Sequence, residues 1–168
     1  GVTKTCGGVS TLIYEHDLDN IEIAYNDVAD TDLDGIQVGG SKNAKIHHNR
    51  IVNVARTNTY AHEYLLQIGG GTEGALVYNN YLERGGSWAI VDGGGGNTIF
   101  NNICMDTPDG GMLVLHDVNF AATGGRIFNN IFIRCQNIGM KMFSEHPDPT
   151  YFCNNIIAGD NYSGYQYI

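Results

Sequence analysis

The chain repeats a short motif in which a polar pair, most often Asn-Asn, stands between apolar positions at fixed distances. The motif is clearest at 98–103, which reads Thr-Ile-Phe-Asn-Asn-Ile. Counted at its second Asn, it recurs at Asn26, Asn49, Asn80, Asn102, Asn130 and Asn155. The spacings are 23, 31, 22, 28 and 25 residues, and a period of this length indicates a solenoid or another repeat architecture.

The apolar positions around the motif predict the structure of one repeat. The third residue before the second Asn is apolar in every repeat, and so is the second residue after it. Apolar residues on both sides of a polar pair, with alternation beyond it, are typical of strand, tight turn, strand. A further short strand follows each turn, as in the Trp-Ala-Ile-Val of 88–91. The sequence therefore predicts an all-β chain with three short strands per repeat.

These residues resemble the right-handed parallel β-helix proteins of the pectate-lyase-like superfamily, and the resemblance covers nearly the whole chain. It implies an all-β fold in which residues 1–168 form a single right-handed parallel β-helix of about six coils. Because the ends of a solenoid expose strand edges, we expect either a segment of a longer solenoid or ends covered by partner subunits. Self-association is therefore an expected mode of assembly.

The Asn residues are interpreted as architectural. Asn tolerates the left-handed backbone of a tight turn, and its amide both donates and accepts hydrogen bonds. Stacked from coil to coil, such amides form a ladder inside the solenoid. The residues predicted to form this ladder are Asn79, Asn101, Asn129 and Asn154.

Alternation also predicts an apolar stripe on the outside of the solenoid. Its members flank the Asn turns and are Tyr78, Phe100, Phe128, Tyr81, Ile103, Ile131 and Ile156. Such a patch usually marks a covered surface. A loop, a missing domain or another subunit would cover it, and an aromatic platform for sugar rings is the alternative.

Composition limits the partners. The net charge is −9 and only 16% of residues are charged, with no basic patch, so duplex nucleic acid is not an expected partner. A polyanionic substrate would be repelled unless a local positive charge or a metal intervened. No apolar run approaches the 18 residues of a membrane-spanning helix, so no membrane span is predicted.

Carboxylates near the ends of the third strands suggest a catalytic cluster. Counting back from the Asn motifs places Asp92, His116 with Asp117, and Glu145 at one strand end on three successive coils. Coils stack roughly 4.8 Å apart, so these carboxylates would lie roughly 5 or 10 Å from each other. Those separations bracket the geometries of retaining and inverting glycosidases. The alternative is that they are ordinary turn residues.

Other side chains on the same strands complete the predicted site. Gln37, Gln67 and Lys141 are predicted to point outward from one strand ladder, and we expect Gln37, Gln67 and Trp88 to bind substrate. His116 or Lys141 would act as the base of a lyase that removes the α-proton of a uronate. The resemblance implies an extracellular or cell-surface protein that cleaves a polysaccharide by glycoside hydrolysis or β-elimination. The alternative is a non-catalytic β-helix for adhesion, glycan binding or surface structure.

A calcium site is a further hypothesis. Asp30, Asp32 and Asp34 match the first half of a calcium loop, D-x-D-x-D-G, in which alternate carboxylates supply oxygen ligands. The twelfth position is Ser41, where such a loop has a bidentate Glu. The alternative is that Asp34 and Gly35 simply turn the chain into the next strand.

Overall fold

The protein is a parallel β-helix. The computed structural model describes residues 3–5, 13–54, 63–116, 124–136, 138–144, 149–159 and 165–167. Within these ranges there are three parallel sheets and no helix, and therefore no helix long and apolar enough to cross a membrane. The predicted β-helix with three strands per coil is confirmed, with about five turns rather than about six.

The strands are numbered along the chain and distributed over three sheets, named sheets 1 to 3. Sheet 1 contains β1 (Thr3–Thr5), β4 (Asp27–Thr31), β7 (Arg50–Val54), β10 (Tyr81–Glu83), β13 (Ile103–Met105), β16 (Ile131–Ile133) and β19 (Ile156–Ala158). Sheet 2 contains β2 (Ile13–His16), β5 (Ile36–Gly39), β8 (Leu66–Ile68), β11 (Trp88–Asp92), β14 (Gly110–His116), β17 (Ile138–Ser144) and β20 (Tyr165–Tyr167). Sheet 3 contains β3 (Glu22–Ala24), β6 (Lys45–His47), β9 (Leu76–Tyr78), β12 (Thr98–Phe100), β15 (Arg126–Phe128) and β18 (Tyr151–Cys153).

The apolar positions of the motif fill the interior, as predicted. Each coil runs from sheet 3 through the Asn turn to sheet 1 and then to sheet 2. The apolar residues before the turn form a column on the inner face of sheet 3, and those after it form a column on the inner face of sheet 1. Every coil therefore covers the one before it. The buried members of these two columns are Ile23, Ile46, Val77, Ile99, Ile127, Val28, Ile51, Leu82, Cys104 and Phe132.

Glycine gives large side chains room at one inner corner. A Cβ on Gly111 would collide with the ring of Phe132 and the carbonyl oxygen of Gly139. A Cβ on Gly139 would collide in the same way with the side chain of Ile157. The large side chains of Phe132 and Ile157 in sheet 1 therefore fit at this corner because Gly111 and Gly139 in sheet 2 have no side chain.

The hydrogen-bonded ladder inside the solenoid is formed by the second Asn of each motif. Each Nδ2 donates to Oδ1 of the Asn one coil further on, at 2.9–3.1 Å. The ladder consists of Asn26, Asn49, Asn80, Asn102, Asn130 and Asn155. The prediction that Asn79, Asn101, Asn129 and Asn154 stack inside is therefore wrong, because all four are exposed.

Each interior amide makes a full set of hydrogen bonds. Asn102 Oδ1 accepts from the backbone N–H of Asn80 at 3.0 Å and from its Nδ2 at 2.9 Å. Asn102 Nδ2 donates back to the carbonyl oxygen of Val77 at 3.0 Å and forward to Asn130 Oδ1 at 3.0 Å. Two acceptor and two donor sites are thus used, which is the capacity of a carboxamide.

The first Asn of the motif makes the turn. Asn79, Asn101, Asn129 and Asn154 have φ between 52° and 56°, which is the left-handed region. In the two earlier motifs, Tyr25 and His48 adopt the same conformation, with φ of 58° and 53°. The two residues of the pair therefore have different roles. The first turns the backbone, and the side chain of the second points into the interior.

Burial decreases at the last described coil. Phe152 and Ile157 are half-buried, whereas Ile127 and Phe132, which precede them in their columns, are fully buried. Ile156 is 56% exposed on the outside of the same coil. This end of the described stack leaves apolar surface accessible, and coverage by a further domain or another copy stays a prediction.

We predict that the two Asn residues of one motif differ strongly in their contribution to stability. Asn102→Ala should lower the free energy of unfolding by at least about 3 kcal/mol, because each buried polar group left unpaired costs about 1–3 kcal/mol. Asn101→Gly keeps a residue that tolerates the left-handed backbone and should change stability by no more than about 1 kcal/mol. Urea unfolding measures both, and similar losses in the two variants would contradict the assignment.

Candidate functional site

Sheet 2 brings three of the predicted site residues into one outward column. Gln37 lies opposite Gln67, Gln67 opposite Val91, Val91 opposite Leu113, and Leu113 opposite Lys141. The two Gln side chains and Lys141 are half-buried. Val91 and Leu113 are only 2% and 8% exposed. The column therefore has accessible polar groups towards both ends and a covered apolar middle.

Gln67 carries a buried acceptor. Its Oε1 is shielded from solvent and receives no hydrogen bond from the residues that the structure describes. A buried acceptor without a donor is unfavourable by roughly 1–3 kcal/mol. A buried water molecule, or a ligand hydroxyl once the amide has rotated outward, would remove this cost by donating to Oε1. Trp88, the third predicted binding residue, opens β11 in the same sheet, where it lies opposite Gly110 and is half-buried.

Asp92 does not belong to this outer surface. It lies opposite Ile68 and Val114 in the sheet and is 1% exposed. Its Oδ1 accepts from the backbone N–H of Gly94 at 3.1 Å and from Asn97 Nδ2 at 2.8 Å. These hydrogen bonds stabilise the bend that follows β11, so Asp92 has a structural role.

Burial changes the proton affinity of Asp92. Desolvation raises its pKa from 3.8 to about 6, although the hydrogen bonds from Asn97 and Gly94 act in the opposite direction. A raised pKa is what a general acid needs. A carboxyl group that is sealed inside the solenoid nevertheless has no path to a polysaccharide.

The predicted alignment of Asp92 with His116 is wrong in its register. Asp92 stands opposite Val114, whereas His116 is two residues further along β14 and lies opposite Ser144. Lys141 lies opposite Leu113, three residues before the level of His116. Asp117 and Glu145 lie outside the described residues, so their catalytic roles stay predictions. The side chain of His116 is likewise not described, and its role also stays a prediction.

The three Asp residues of the calcium hypothesis do not converge. Asp30 accepts from Asn53 Nδ2 at 3.3 Å, while Asp34 is fully buried and accepts from the backbone N–H of Tyr64 at 2.8 Å. Asp32 is half-buried. No group of three or more His, Cys, Asp or Glu able to hold a metal ion occurs in the described part of the chain. Calcium binding stays a prediction that has no formed ligand set to support it.

The apolar stripe contains a column of stacked rings. The Tyr78 and Phe100 rings are 5.0 Å apart and the Phe100 and Phe128 rings 5.1 Å apart, with interplanar angles below 10°. His47 continues the column, stacked on Tyr78 at 4.6 Å. Since the inner rings cover each other's faces, they present edges to solvent. A platform on which sugar rings stack face to face is therefore not available along this column.

A polar cluster beside these rings was not predicted from the sequence. Glu22, His47, His48 and Asn79 form a hydrogen-bonded chain across three successive coils. The signal was present in the motif, since 46–49 reads Ile-His-His-Asn where the later motifs have Asn-Asn preceded by an aromatic residue or Cys.

Comparisons with protein-family models, with curated proteins and with solved structures find no match. The parallel β-helix is established by the structure itself. Membership of the pectate-lyase-like superfamily stays a prediction.

We predict that Asp92 makes stability fall as pH rises. Between pH 3.8 and about 6 the folded state holds this proton more tightly than the unfolded state does. The contribution of protonated Asp92 to the free energy of unfolding is therefore complete below pH 3.8, and it is lost as pH rises through about 6. The loss is about 3 kcal/mol, from about two pKa units at about 1.4 kcal/mol each.

Asp92→Asn isolates this effect, because the amide keeps the acceptor oxygen and does not titrate. Urea unfolding of both proteins from pH 4 to 7.5 should show that the free energy of unfolding of the variant rises relative to that of the wild type as pH increases. A stability difference that is independent of pH would show that Asp92 does not titrate with a raised pKa.

Proposed function

We propose that the protein is an extracellular or cell-surface β-helix that binds a polysaccharide on the outer face of sheet 2, with Gln37 and Gln67 as the main contacts. The observation that carries the proposal is the outward column in which these two amides stand in register on adjacent strands. Amides at a regular spacing of roughly 4.8 Å offer donors and acceptors to successive hydroxyl groups of a linear chain.

Gln67 supports this proposal independently of the column. Its buried Oε1 lacks a donor among the described residues. Because the side chain as a whole is only half-buried, the amide can rotate outward, and a sugar hydroxyl would then satisfy this oxygen. Lys141 lies beyond the covered side chains of Val91 and Leu113. It would contact a ligand that extends across the face, and its ammonium group suits a carboxylate-bearing sugar.

Cleavage of the bound polysaccharide is the second part of the proposal. In a hydrolase, Asp117 and Glu145 would act as general acid and as nucleophile or base. In a lyase, His116 or Lys141 would take the α-proton of a uronate and leave an unsaturated sugar. The burial of Asp92 removes one carboxylate from this set and favours binding over cleavage.

Binding is tested by electrophoresis of the protein through gels that contain soluble polysaccharides. At least one neutral or acidic glycan should retard the wild type. Gln37→Ala and Gln67→Ala should each weaken that binding roughly fivefold, since one hydrogen bond is worth about 1 kcal/mol. Gln136→Ala, which changes an exposed Gln outside sheet 2, is the matched control. No retardation by any glycan, or equal effects of all three variants, would refute the binding site.

Cleavage is tested on the same glycans by assays for new reducing ends and for the ultraviolet absorbance of an unsaturated product. Asp117→Asn or Glu145→Gln should abolish hydrolysis, whereas His116→Gln or Lys141→Gln should abolish elimination. Asp92→Asn should leave either activity in place, because a carboxyl group that is 1% exposed does not reach the substrate. Binding without either product would leave a non-catalytic glycan-binding β-helix for adhesion or surface structure.

A further inference from the structure

A chain of four hydrogen-bonded side chains crosses the outside of the first coils. Glu22 Oε1 lies 2.7 Å from His47 Nε2, His47 Nδ1 lies 2.8 Å from His48 Nδ1, and His48 Nε2 lies 3.2 Å from Asn79 Nδ2. The His47 side chain is 6% exposed, whereas His48 and Asn79 are exposed. The chain therefore leads from a buried imidazole to one at the surface.

Each proton in this chain has one assignment that satisfies all four groups when both imidazoles are neutral. An ionised Glu22 only accepts, so His47 carries its proton on Nε2 and its Nδ1 becomes an acceptor. His48 must then donate from Nδ1, which leaves His48 Nε2 as the basic nitrogen. The Asn79 amide donates to that nitrogen. This assignment follows from the hydrogen-bond network rather than from observed hydrogens.

Aromatic rings hold both imidazoles in place. Tyr78 stacks on His47 at 4.6 Å with an interplanar angle of 17°, and Tyr25 stacks on His48 at 5.1 Å with an angle of 20°. The left-handed backbone at Tyr25 and His48 sets their rings outside the turn. The two imidazole planes are nearly perpendicular, at 87°, and their Nδ1 atoms lie 2.8 Å apart.

We propose that this chain is an acyl-transfer site in which His48 is the nucleophile and His47 and Glu22 are positioning residues. The site would accept reactive esters that reach the surface turn, and it is distinct from the polysaccharide face of sheet 2. A neutral imidazole is a competent nucleophile towards acyl carbon when a neighbouring base removes its second proton. His47, held by Glu22, is that base.

The first step transfers the acyl group. His48 Nε2, once it displaces the Asn79 amide, attacks the ester carbonyl carbon, and the bond to the leaving oxygen breaks so that an alkoxide or phenolate departs. The Nδ1 proton of the acylated His48 passes to His47 Nδ1. The resulting His47 imidazolium lies next to the carboxylate of Glu22, which stabilises it.

The second step restores the protein. The oxygen of water forms a bond to the acyl carbon, the carbon–Nε2 bond breaks, and His48 Nδ1 regains its proton from His47. The remaining water proton goes to solvent, and the released carboxylic acid ionises. One ester and one water thus give a carboxylate, the leaving group as its anion, and two protons in solution.

The test is hydrolysis of p-nitrophenyl acetate by the intact protein. His48→Asn should lower the protein-dependent rate at least about tenfold, within the range of acid–base catalysis by a positioned side chain. Asn occupies the equivalent turn position in the later coils, so this variant is expected to fold. His16→Asn is the matched control, because His16 also has a carboxylate partner, Asp17 at 2.7 Å, and is half exposed.

The relay predicts effects that an isolated surface histidine would not show. His47→Gln and Glu22→Gln should also lower the rate although neither residue touches the ester, and Asn79→Gly should raise it by freeing Nε2. Mass spectrometry should find the trapped acetyl group on His48. Nitrogen-15 spectra should show the proton of His47 on Nε2 and that of His48 on Nδ1.

Two results would overturn the proposal. One is an equal loss of rate in His48→Asn and His16→Asn, which would mean that the protein supplies only scattered imidazoles. The other is an unchanged rate in His47→Gln with the acetyl group still on His48, which would mean that the inner histidine plays no part. Neither result bears on polysaccharide binding.

Discussion

The hydrogen bonding of one buried carboxamide per coil is the constraint on which the rest of the fold depends. Each interior Asn accepts from the coil before it, donates to the coil after it, and donates back to a strand carbonyl. A buried carboxamide is costly unless its donors and acceptors are paired. The coils must therefore stack in register at this turn, while the spacing between successive ladder residues varies from 22 to 31. Loops of different length are therefore accommodated away from this turn.

The sequence predicted the repeat, the three strands per coil and the interior apolar positions, because these depend on local alternation. It misplaced the ladder by one residue. Ile99 is inside and so is Cys104, five positions later, although period-two alternation would put them on opposite faces. One residue between them must break the alternation, and Asn101 does so with φ of 54°. Asn102, an even number of residues before Cys104, then falls inside. Alternation alone would equally allow Asn102 to make the turn with Asn101 inside, so only the left-handed backbone of Asn101 places the ladder.

The candidate site was predictable only in part, for the same physical reason. Gln37 and Gln67 each stand between two apolar residues of adjacent strands, so aligning those apolar residues also aligned the two Gln residues. Asp92 and His116 were aligned by counting across loops of different length, and the sheet register places them two residues apart. The burial of Asp92 depends on a bend closed by Asn97 and Gly94, which alternation does not predict. The contact of Glu22 with His47 joins diagonal positions on neighbouring strands, which only the register reveals.

The most direct test of this account is hydrogen exchange of the Asn side-chain amides, followed by nuclear magnetic resonance. If the second Asn of each motif forms the ladder, the Nδ2 protons of Asn80, Asn102 and Asn130 should exchange slowly, at rates near those of the surrounding strand amides. The Nδ2 protons of Asn101 and Asn129, on the exposed turns, should exchange rapidly. Slow exchange at the exposed set, or equal rates in the two sets, would contradict the ladder and the coil register that rests on it.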